Sequence, residues 1–328
     1  MLRIGVIGCG VVSGYGHLPT IQSSQRWKLA GIAEVHTPRR EEIAAQYKPP
    51  VAVADYRELL DAASMDAVVV ATHADSHHEI AIAALERGLH VLCEKPMASS
   101  LDQCRAMVDA SRRANKLLAI NFNTRSVAVM REIKRLIDAG TVGSVRAVRF
   151  VYDWHAHQWQ PPERLENFMR NGGPIIDSGV HFFEGARWFT GQDFTRIHAN
   201  GVFLPPYEHP QHVVSTCQMS GGAVALIEVG WLYCKKTKDR GMLLNYDVIG
   251  DDGTISYDGE TRDLRVYSTT TTEIRKFEDL GKGFDFVYDQ FAESIVSGKL
   301  QALASGEDGL KATVAAYQAL DATHSRAR

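Results

Sequence analysis

Two short stretches hold residue types that could do chemistry together. Leu89-His90-Val91-Leu92-Cys93-Glu94-Lys95-Pro96 is an apolar run ending in a carboxylate, an ammonium and a ring-locked residue. A run bounded in this way reads as a buried strand, so Glu94 and Lys95 belong at its carboxyl end. Ligands bind at that end of open α/β sheets, which makes Lys95 the expected meeting point of a dinucleotide and a substrate. The plain alternative is a surface turn with two charges. Far along the chain, Asp177-Ser178-Gly179-Val180-His181 leads into the apolar stretch Phe182 to Phe189. If this segment is helical, Asp177 and His181 share a face at i, i+4. The alternative is a helix-start aspartate and a satisfied histidine. Histidine is the side chain best suited to moving a proton near neutral pH.

The elements that must position Lys95 begin at the N-terminus. Arg3-Ile4-Gly5-Val6-Ile7 is an apolar strand, followed at once by Gly8-Cys9-Gly10-Val11-Val12-Ser13. That is G-x-G-x-x-S, where the dinucleotide fingerprint has glycine or alanine at the last position. Gly8 permits a tight turn, Gly10 lets backbone approach a pyrophosphate, and Ser13 is small enough for close helix packing. The following helix, through Val11 and Val12, offers unpaired N–H groups to phosphate oxygens. Trp27 to Ala33 reads as the second strand, with Glu34 at its end, 24 residues after Gly10. An acid at that spacing holds ribose hydroxyls and repels a 2′-phosphate, so NAD is favoured over NADP. NADP stays open because His36, Arg39 and Arg40 follow, although those three read as the solvated start of a helix.

Alternation continues with a helix from Pro38 to Tyr47, a strand Val51 to Val53, a helix Tyr56 to Ala63 and a buried strand Asp66 to Ala71. Thr72 to Asp75, including Thr72 and His73, form a loop placed to cover a cofactor. Ser76-His77-His78-Glu79 reads as a capping box opening a helix that Gly88 closes. His77 and His78 read as first-turn surface residues, with His77 kept as a cofactor candidate. Leu101 to Asn115 is a helix and Leu117 to Asn121 a strand. Strands alternating with helices of this length predict a parallel, doubly wound α/β sheet.

After Asn121 the pattern changes, which places a dinucleotide-binding domain at 1–121 and an α+β substrate-binding and oligomerisation domain at 122–328. Asn123-Thr124-Arg125 leads to a helix Val127 to Ala139 ended by Gly140. Strands then dominate: Ser144 to Trp154, Arg196 to Phe203, Val213 to Met219, Ala223 to Tyr233, Leu243 to Ile249 and Leu264 to Ser268. A mostly antiparallel sheet is expected. Phe286, Val287, Phe291 and Ile295 give one face of a late helix, and Ala312 to His324 is the last. Lys235 to Arg240 reads as a solvated hairpin, with an anionic-ligand clamp or a subunit contact as the sharper option.

Bulk properties exclude several classes. The 328 residues are 45% hydrophobic and 23% charged, with a net charge of −3, so neither nucleic acid nor an anionic membrane is an expected partner. No apolar run approaches the ~20 residues of a membrane span. The N-terminus enters a strand at once, without a signal peptide pattern. Five cysteines show no paired spacing, so no disulfide framework or zinc knuckle is suggested, and a cytoplasmic protein is expected.

Gly8-Cys9-Gly10, Glu34, Ala71-Thr72, Glu94-Lys95-Pro96 and Asp177-Ser178-Gly179-Val180-His181 match in order the motifs of the glucose–fructose oxidoreductase, inositol dehydrogenase and MocA (Gfo/Idh/MocA) family. The chain resembles that family nearly end to end, including Ser305-Gly306-Glu307-Asp308-Gly309 before the last helix. One departure is His73, where many members carry proline. The resemblance implies an NAD(P)-dependent dehydrogenase or reductase of a sugar, cyclitol or related polyol. It also implies a homodimer or homotetramer formed through the second domain's open sheet face. Oxidising a secondary alcohol removes a hydride and a hydroxyl proton. His181 would take the proton, Asp177 would orient it, and Lys95 would stabilise the developing alkoxide. Glu94 would hold the nicotinamide ribose or nearby backbone, and Pro96 matches a position that is often cis. Substrate contacts are expected from Asn123, Arg125 and from Asp153-Trp154-His155-Ala156-His157-Gln158-Trp159. Asp153, His155 and His157 lie on one face of that stretch if the strand persists. No metal is expected, because H-x-H alone is poor evidence for one. Rival readings are a same-family enzyme that cleaves glycosides through transient oxidation by tightly held NAD, and a non-catalytic dinucleotide-binding regulator.

Overall fold

The structure, a computed structural model, describes residues 1–239, 241–278 and 281–325, without the side chain of Trp159. The chain divides into two compact units, Met1–Ser126 with Gly281–Leu310, and Val127–Leu280 with Lys311–Arg328.

The first unit is built on β1 (Leu2–Ile7), β2 (Trp27–Ala33), β3 (Val51–Val53), β4 (Ala67–Val70), β5 (His90–Cys93) and β6 (Leu118–Ile120). These six pair in the order β6-β5-β4-β1-β2-β3, all parallel, which is the doubly wound dinucleotide-binding order. Ala304–Ser305 adds a short antiparallel strand beside β6. Parallel strands are covered on both faces and so read as continuous apolar runs. Ala67 to Val70 are all buried.

The structure departs from expectation in two places. The compact first unit runs past the division expected after Asn121, to Ser126, and takes in residues 281–310, which were expected in the second domain. The helix Phe284–Ser297 places Val287, Tyr288, Phe291 and Ala292 in one core with Leu18, Ile21 and Trp27. Trp27 stacks on Phe291 at 5.7 Å and its indole N–H donates to the Tyr288 carbonyl at 2.8 Å. A late return of the chain leaves no local signal, because an apolar helix face does not say which core it fills. The capping box at Ser76 is also absent. The helix spans Ala74–Glu86 with His73 at its N-cap, and the Ser76 hydroxyl bonds back to Thr72 Oγ1 at 2.8 Å and to the His73 carbonyl at 2.9 Å.

Among the described residues the second unit holds eight strands: β7 (Val145–Trp154), β8 (Phe194–Val202), β9 (His212–Met219), β10 (Val224–Gly230), β11 (Met242–Gly250), β12 (Gly253–Asp258), β13 (Asp263–Ser268) and β14 (Thr272–Lys276). Their order is β14-β13-β12-β11-β7-β10-β9-β8, antiparallel except for β7 with β10. The antiparallel expectation holds. β12 and β14 were not foreseen; β14, at the sheet edge, has Ile274 as its single apolar residue and that residue is exposed, so a hydrophobic pattern does not mark it. One face packs on the helix Val180–Thr190, where Phe150 of β7 stacks on Phe182 at 5.5 Å. The stretch after β7 does not stay extended. The strand ends at Trp154 and a short helix Ala156–Trp159 follows, so Asp153, His155 and His157 do not share a strand face.

Candidate active site

In the first unit, the turn after β1 is shaped by backbone. Gly8 has φ +89°, and a Cβ there would stand 2.6 Å from the Ala71 carbonyl oxygen, so only glycine fits between β1 and β4. At Gly10 a Cβ would meet nothing within 4 Å, which leaves the outer side of the turn open. Val11 begins the helix beside that opening and is 59% exposed, an apolar group set for a ligand to cover; Val12 is half-buried. Ser13 is buried and its hydroxyl donates to the Gly8 carbonyl at 2.6 Å. The helix there passes through a wider π-type turn, Ser13–His17, a geometry that recurs at functional sites.

Glu34, at the end of β2, folds onto the same turn. One carboxylate oxygen accepts from the Cys9 N–H at 2.7 Å, the other from the His36 N–H at 2.9 Å. Arg39 and Arg40 are not a solvated helix start. Arg39 Nε donates to the Cys9 carbonyl at 2.7 Å and Arg40 Nη1 to the Glu34 carbonyl at 2.7 Å, so Arg39 turns back to the glycine loop and Arg40 to the end of β2. Periodicity marks them as outward-facing, but long cations fold onto the nearest unsatisfied carbonyl. An open glycine, a helix start and a carboxylate at one place fit a dinucleotide's pyrophosphate and ribose.

Thr72 and His73 follow β4, with His73 exposed and Thr72 half-buried. His77 is not a surface residue; it is 1% exposed. Its Nδ1 lies 2.9 Å from the Pro96 carbonyl and its Nε2 3.1 Å from the Thr72 carbonyl, so the ring pins two loops together. Burial lowers its pKa, against the Pro96 and Thr72 carbonyls, which favour the protonated ring that donates to both.

At the end of β5 the Lys95–Pro96 bond is cis. Glu94 is buried and collects donors from three elements: His17 Nε2 at 3.1 Å, Asn121 Nδ2 at 2.6 Å and the Lys95 N–H at 3.3 Å. His17 Nδ1 in turn meets the Tyr288 hydroxyl at 3.0 Å. Desolvation pushes the Glu94 carboxyl up, but the donors and charges of His17, Asn121 and Lys95 together outweigh it and hold it down at about 2. His17, Asn121 and Tyr288 were missed from sequence. Asn121 was readable, since it follows β6 as Glu94 follows β5 and its N–H bonds the Cys93 carbonyl. Tyr288 sits on the returning helix and was not. Arg125, expected at the substrate, is engaged within this unit by Asp308 at 3.3 Å, and Asn123 is half-buried at the start of a short helix.

In the second unit, Gly172 and Gly173 both take positive φ before Ile175–Gly179, another wide π-type turn that runs into the helix Val180–Thr190. Asp177 is half-buried and accepts from the Ser178 hydroxyl at 3.1 Å; His181, in the next turn, is 8% exposed. Gly179 packs over Val229 of β10, its Cβ position 3.4 Å from that side chain. The expected helical path from Asp177 to His181 is therefore present, with a wider first turn.

Asp153 does not present a free carboxylate. It is 4% exposed, accepts from the Leu232 and Tyr233 N–H groups at 3.1 and 3.2 Å, and pairs with His212 Nδ1 at 2.8 Å. His212 also meets Glu228 at 3.3 Å; the Asp153 hydrogen bond raises its pKa against the desolvation that lowers it. A Cβ on Gly230 would lie 2.2 Å from His212 Nδ1, so the pair depends on that glycine. His155 Nδ1 meets the Gly241 carbonyl at 2.6 Å, and His157 Nε2 donates to Gln211 Oε1 at 2.7 Å. Of the charged run, Lys236, Lys238 and Asp239 are exposed and Lys235 is half-buried; Arg240 lies outside the described residues, as does the side chain of Trp159. Among the described residues no three His, Cys, Asp or Glu side chains are grouped to hold a metal, and no helix is long and apolar enough to cross a membrane.

The geometry of the first unit defines a dinucleotide-binding fold. Residues 2–122 match the model of the Gfo/Idh/MocA oxidoreductase family, NAD-binding Rossmann fold, and residues 130–256 match that family's C-terminal domain. The chain belongs to the Gfo/Idh/MocA family of NAD-binding oxidoreductases. It is 26% identical to myo-inositol 2-dehydrogenase of Thermotoga maritima, over 97% of this chain and 95% of that one. It is 25% identical to scyllo-inositol 2-dehydrogenase (NAD(+)) of Bacillus subtilis, over 91% and 87%. A levoglucosan dehydrogenase solved with NADH and L-sorbose shares the fold, with a TM-score of 0.84 over 99% of this chain and 97% of that one at 21% identity.

Proposed function

We propose that this enzyme moves a hydride between NAD and a secondary alcohol or ketone of a sugar, cyclitol or related polyol. The observation that carries the reading is Lys95 at the carboxyl end of β5, beside a Glu94 held ionised by His17 and Asn121. A fixed positive charge there stabilises oxyanion character as it develops on the substrate. His181 accepts the hydroxyl proton in oxidation and returns it in reduction, with Asp177 orienting the ring. Gly8, Gly10, Val11, Val12, Glu34, Thr72 and His73 hold NAD, and Glu94 turns its remaining acceptor capacity to the nicotinamide ribose. NAD, when bound, supplies the hydride acceptor. His77 acts from behind, fixing the loops of Thr72 and Pro96. Glu34 favours NAD; Arg39, turned onto the glycine loop, and Arg40, on the Glu34 carbonyl, keep NADP within reach. The names of the inositol dehydrogenases support the substrate class.

The second unit's sheet supports self-association. Val202, Val224, Ile249, Tyr267 and Ile274 are 44 to 58% exposed and lie in register on the face opposite Phe150. Apolar residues gathered on one open sheet face suit a second copy, as a dimer or tetramer; light scattering at a monomer mass refutes this. The enzymatic reading is tested with a panel of neutral sugars, cyclitols and sugar acids, read by absorbance of reduced cofactor with NAD and with NADP. Net accumulation of NADH supports it. Absence of reduced cofactor across the panel overturns it.

A further inference from the structure

We infer that Lys235, with His157 and Gln211, forms a subsite in the second unit for an anionic group of the substrate, a carboxylate or a phosphate. This rests on the hydride-transfer reading and narrows its substrate class to acidic sugar derivatives.

Gln211 is fully buried, and its side-chain amide is fixed at both ends. Its Nε2 donates to the Leu204 carbonyl at 3.0 Å, which assigns Oε1 as the acceptor facing His157 and Lys235. That oxygen receives His157 Nε2 at 2.7 Å and Lys235 Nζ at 3.1 Å. Two donors fill its two lone pairs. The ammonium keeps two further N–H donors, and among the described residues it makes no ion pair. The charge is held by a neutral, immobile partner that cannot neutralise it. Desolvation, with Lys236 beside it, lowers the Lys235 pKa, so the free protein stabilises this cation poorly. An incoming anion would.

The surrounding chain is built to hold the arrangement. The short helix Ala156–Trp159 is tied to the loop after β10 by Gln158, whose Nε2 donates to the Cys234 and Thr237 carbonyls, and by His155 on the Gly241 carbonyl. The Trp231 N–H bonds the Gln211 carbonyl at 2.9 Å, and Asp153 anchors Leu232 and Tyr233. The subsite also lies at the end of the sheet on which the turn bearing Asp177 packs. Gly173 stands over the Pro210 carbonyl, next to Gln211, and the turn Ile175–Gly179 packs on Val229, two residues before Trp231. A substrate engaged by His181 extends its far end toward this cluster.

The test titrates NAD-saturated protein by calorimetry with matched pairs: glucose against glucuronate and glucose 6-phosphate, and galactose against galacturonate. NADH formation is read in parallel. At least one anionic member is expected to bind on the order of 10- to 100-fold tighter than its neutral partner, the worth of a charged hydrogen bond. The uronate and phosphate arms identify which anion fits. Lys235→Met abolishes the preference, Lys235→Arg retains most of it, and Lys238→Met, at an exposed lysine, leaves it intact. Equal binding across every pair, or a preference that survives Lys235→Met in folded protein, overturns the inference whether or not turnover is seen. Turnover of neutral polyols with no anion preference sinks this subsite alone; absence of NADH from every compound sinks the hydride-transfer reading instead.

Discussion

Glu94→Gln separates charge from shape at the centre of the first unit. The amide keeps an oxygen for His17 and Asn121 but brings N–H hydrogens toward the Lys95 N–H and cannot ionise. The wild-type carboxyl is held at about 2 in the native protein against 4.5 for an ordinary glutamate. A depressed native value stabilises above the unfolded pKa, and that stabilisation is lost as pH falls through the native one. Converted by linkage, it is about 3 kcal/mol at neutral pH. By about pH 3.5, where an unfolded glutamate is mostly protonated, about 1.4 kcal/mol of it has gone. The assay is urea unfolding followed by fluorescence, with Trp27 buried against Phe291 in the same unit as reporter. Wild type should exceed Glu94→Gln in stability at pH 7, and the gap should narrow by about 1.4 kcal/mol at about pH 3.5. A gap of the same size at both pH values refutes the ionised, hydrogen-bonded carboxylate.

Two further outcomes follow from the same reasoning. Lys95→Ala should cut turnover by about 100- to 1000-fold or more while NAD affinity, measured by fluorescence titration, stays near wild type; surviving turnover rules out its role at the reacting oxygen. His212, between Asp153 and Glu228, has a raised native pKa, so its contribution is complete below the unfolded value of 6.5 and fades as pH rises through the native one. His212→Gln should therefore lose more stability at about pH 5.5 than at about pH 9, and an equal loss at both would refute the charged pairing.

Much of the candidate site's local geometry could be read from residue order alone. Gly8, Gly10 and Glu34 announce themselves because a tight turn, an open backbone and a carboxylate at fixed spacing are local requirements. Lys95 at the end of an apolar run is equally local. The histidines were read less well. His77 follows a serine in a polar stretch, a surface pattern, yet its ring is buried between two carbonyls. Asp153 looked like one of a row of substrate ligands, but the strand stops at Trp154 and its oxygens serve His212 and the next loop. Polar residues at strand ends look alike in sequence whether they face a ligand or satisfy buried backbone.

The sequence by itself determined the parallel sheet, the dinucleotide turn and the two polar clusters, because strand alternation, glycine geometry and charge at strand ends act within a few residues. Tertiary structure decided what those clusters lean on. The helix Phe284–Ser297 returns to complete the first core and brings Tyr288 to His17 and so to Glu94. Gln211 joins His157 to Lys235 across 78 residues of chain. Such contacts are set by where buried polar groups find partners in three dimensions, and periodicity along the chain does not encode that.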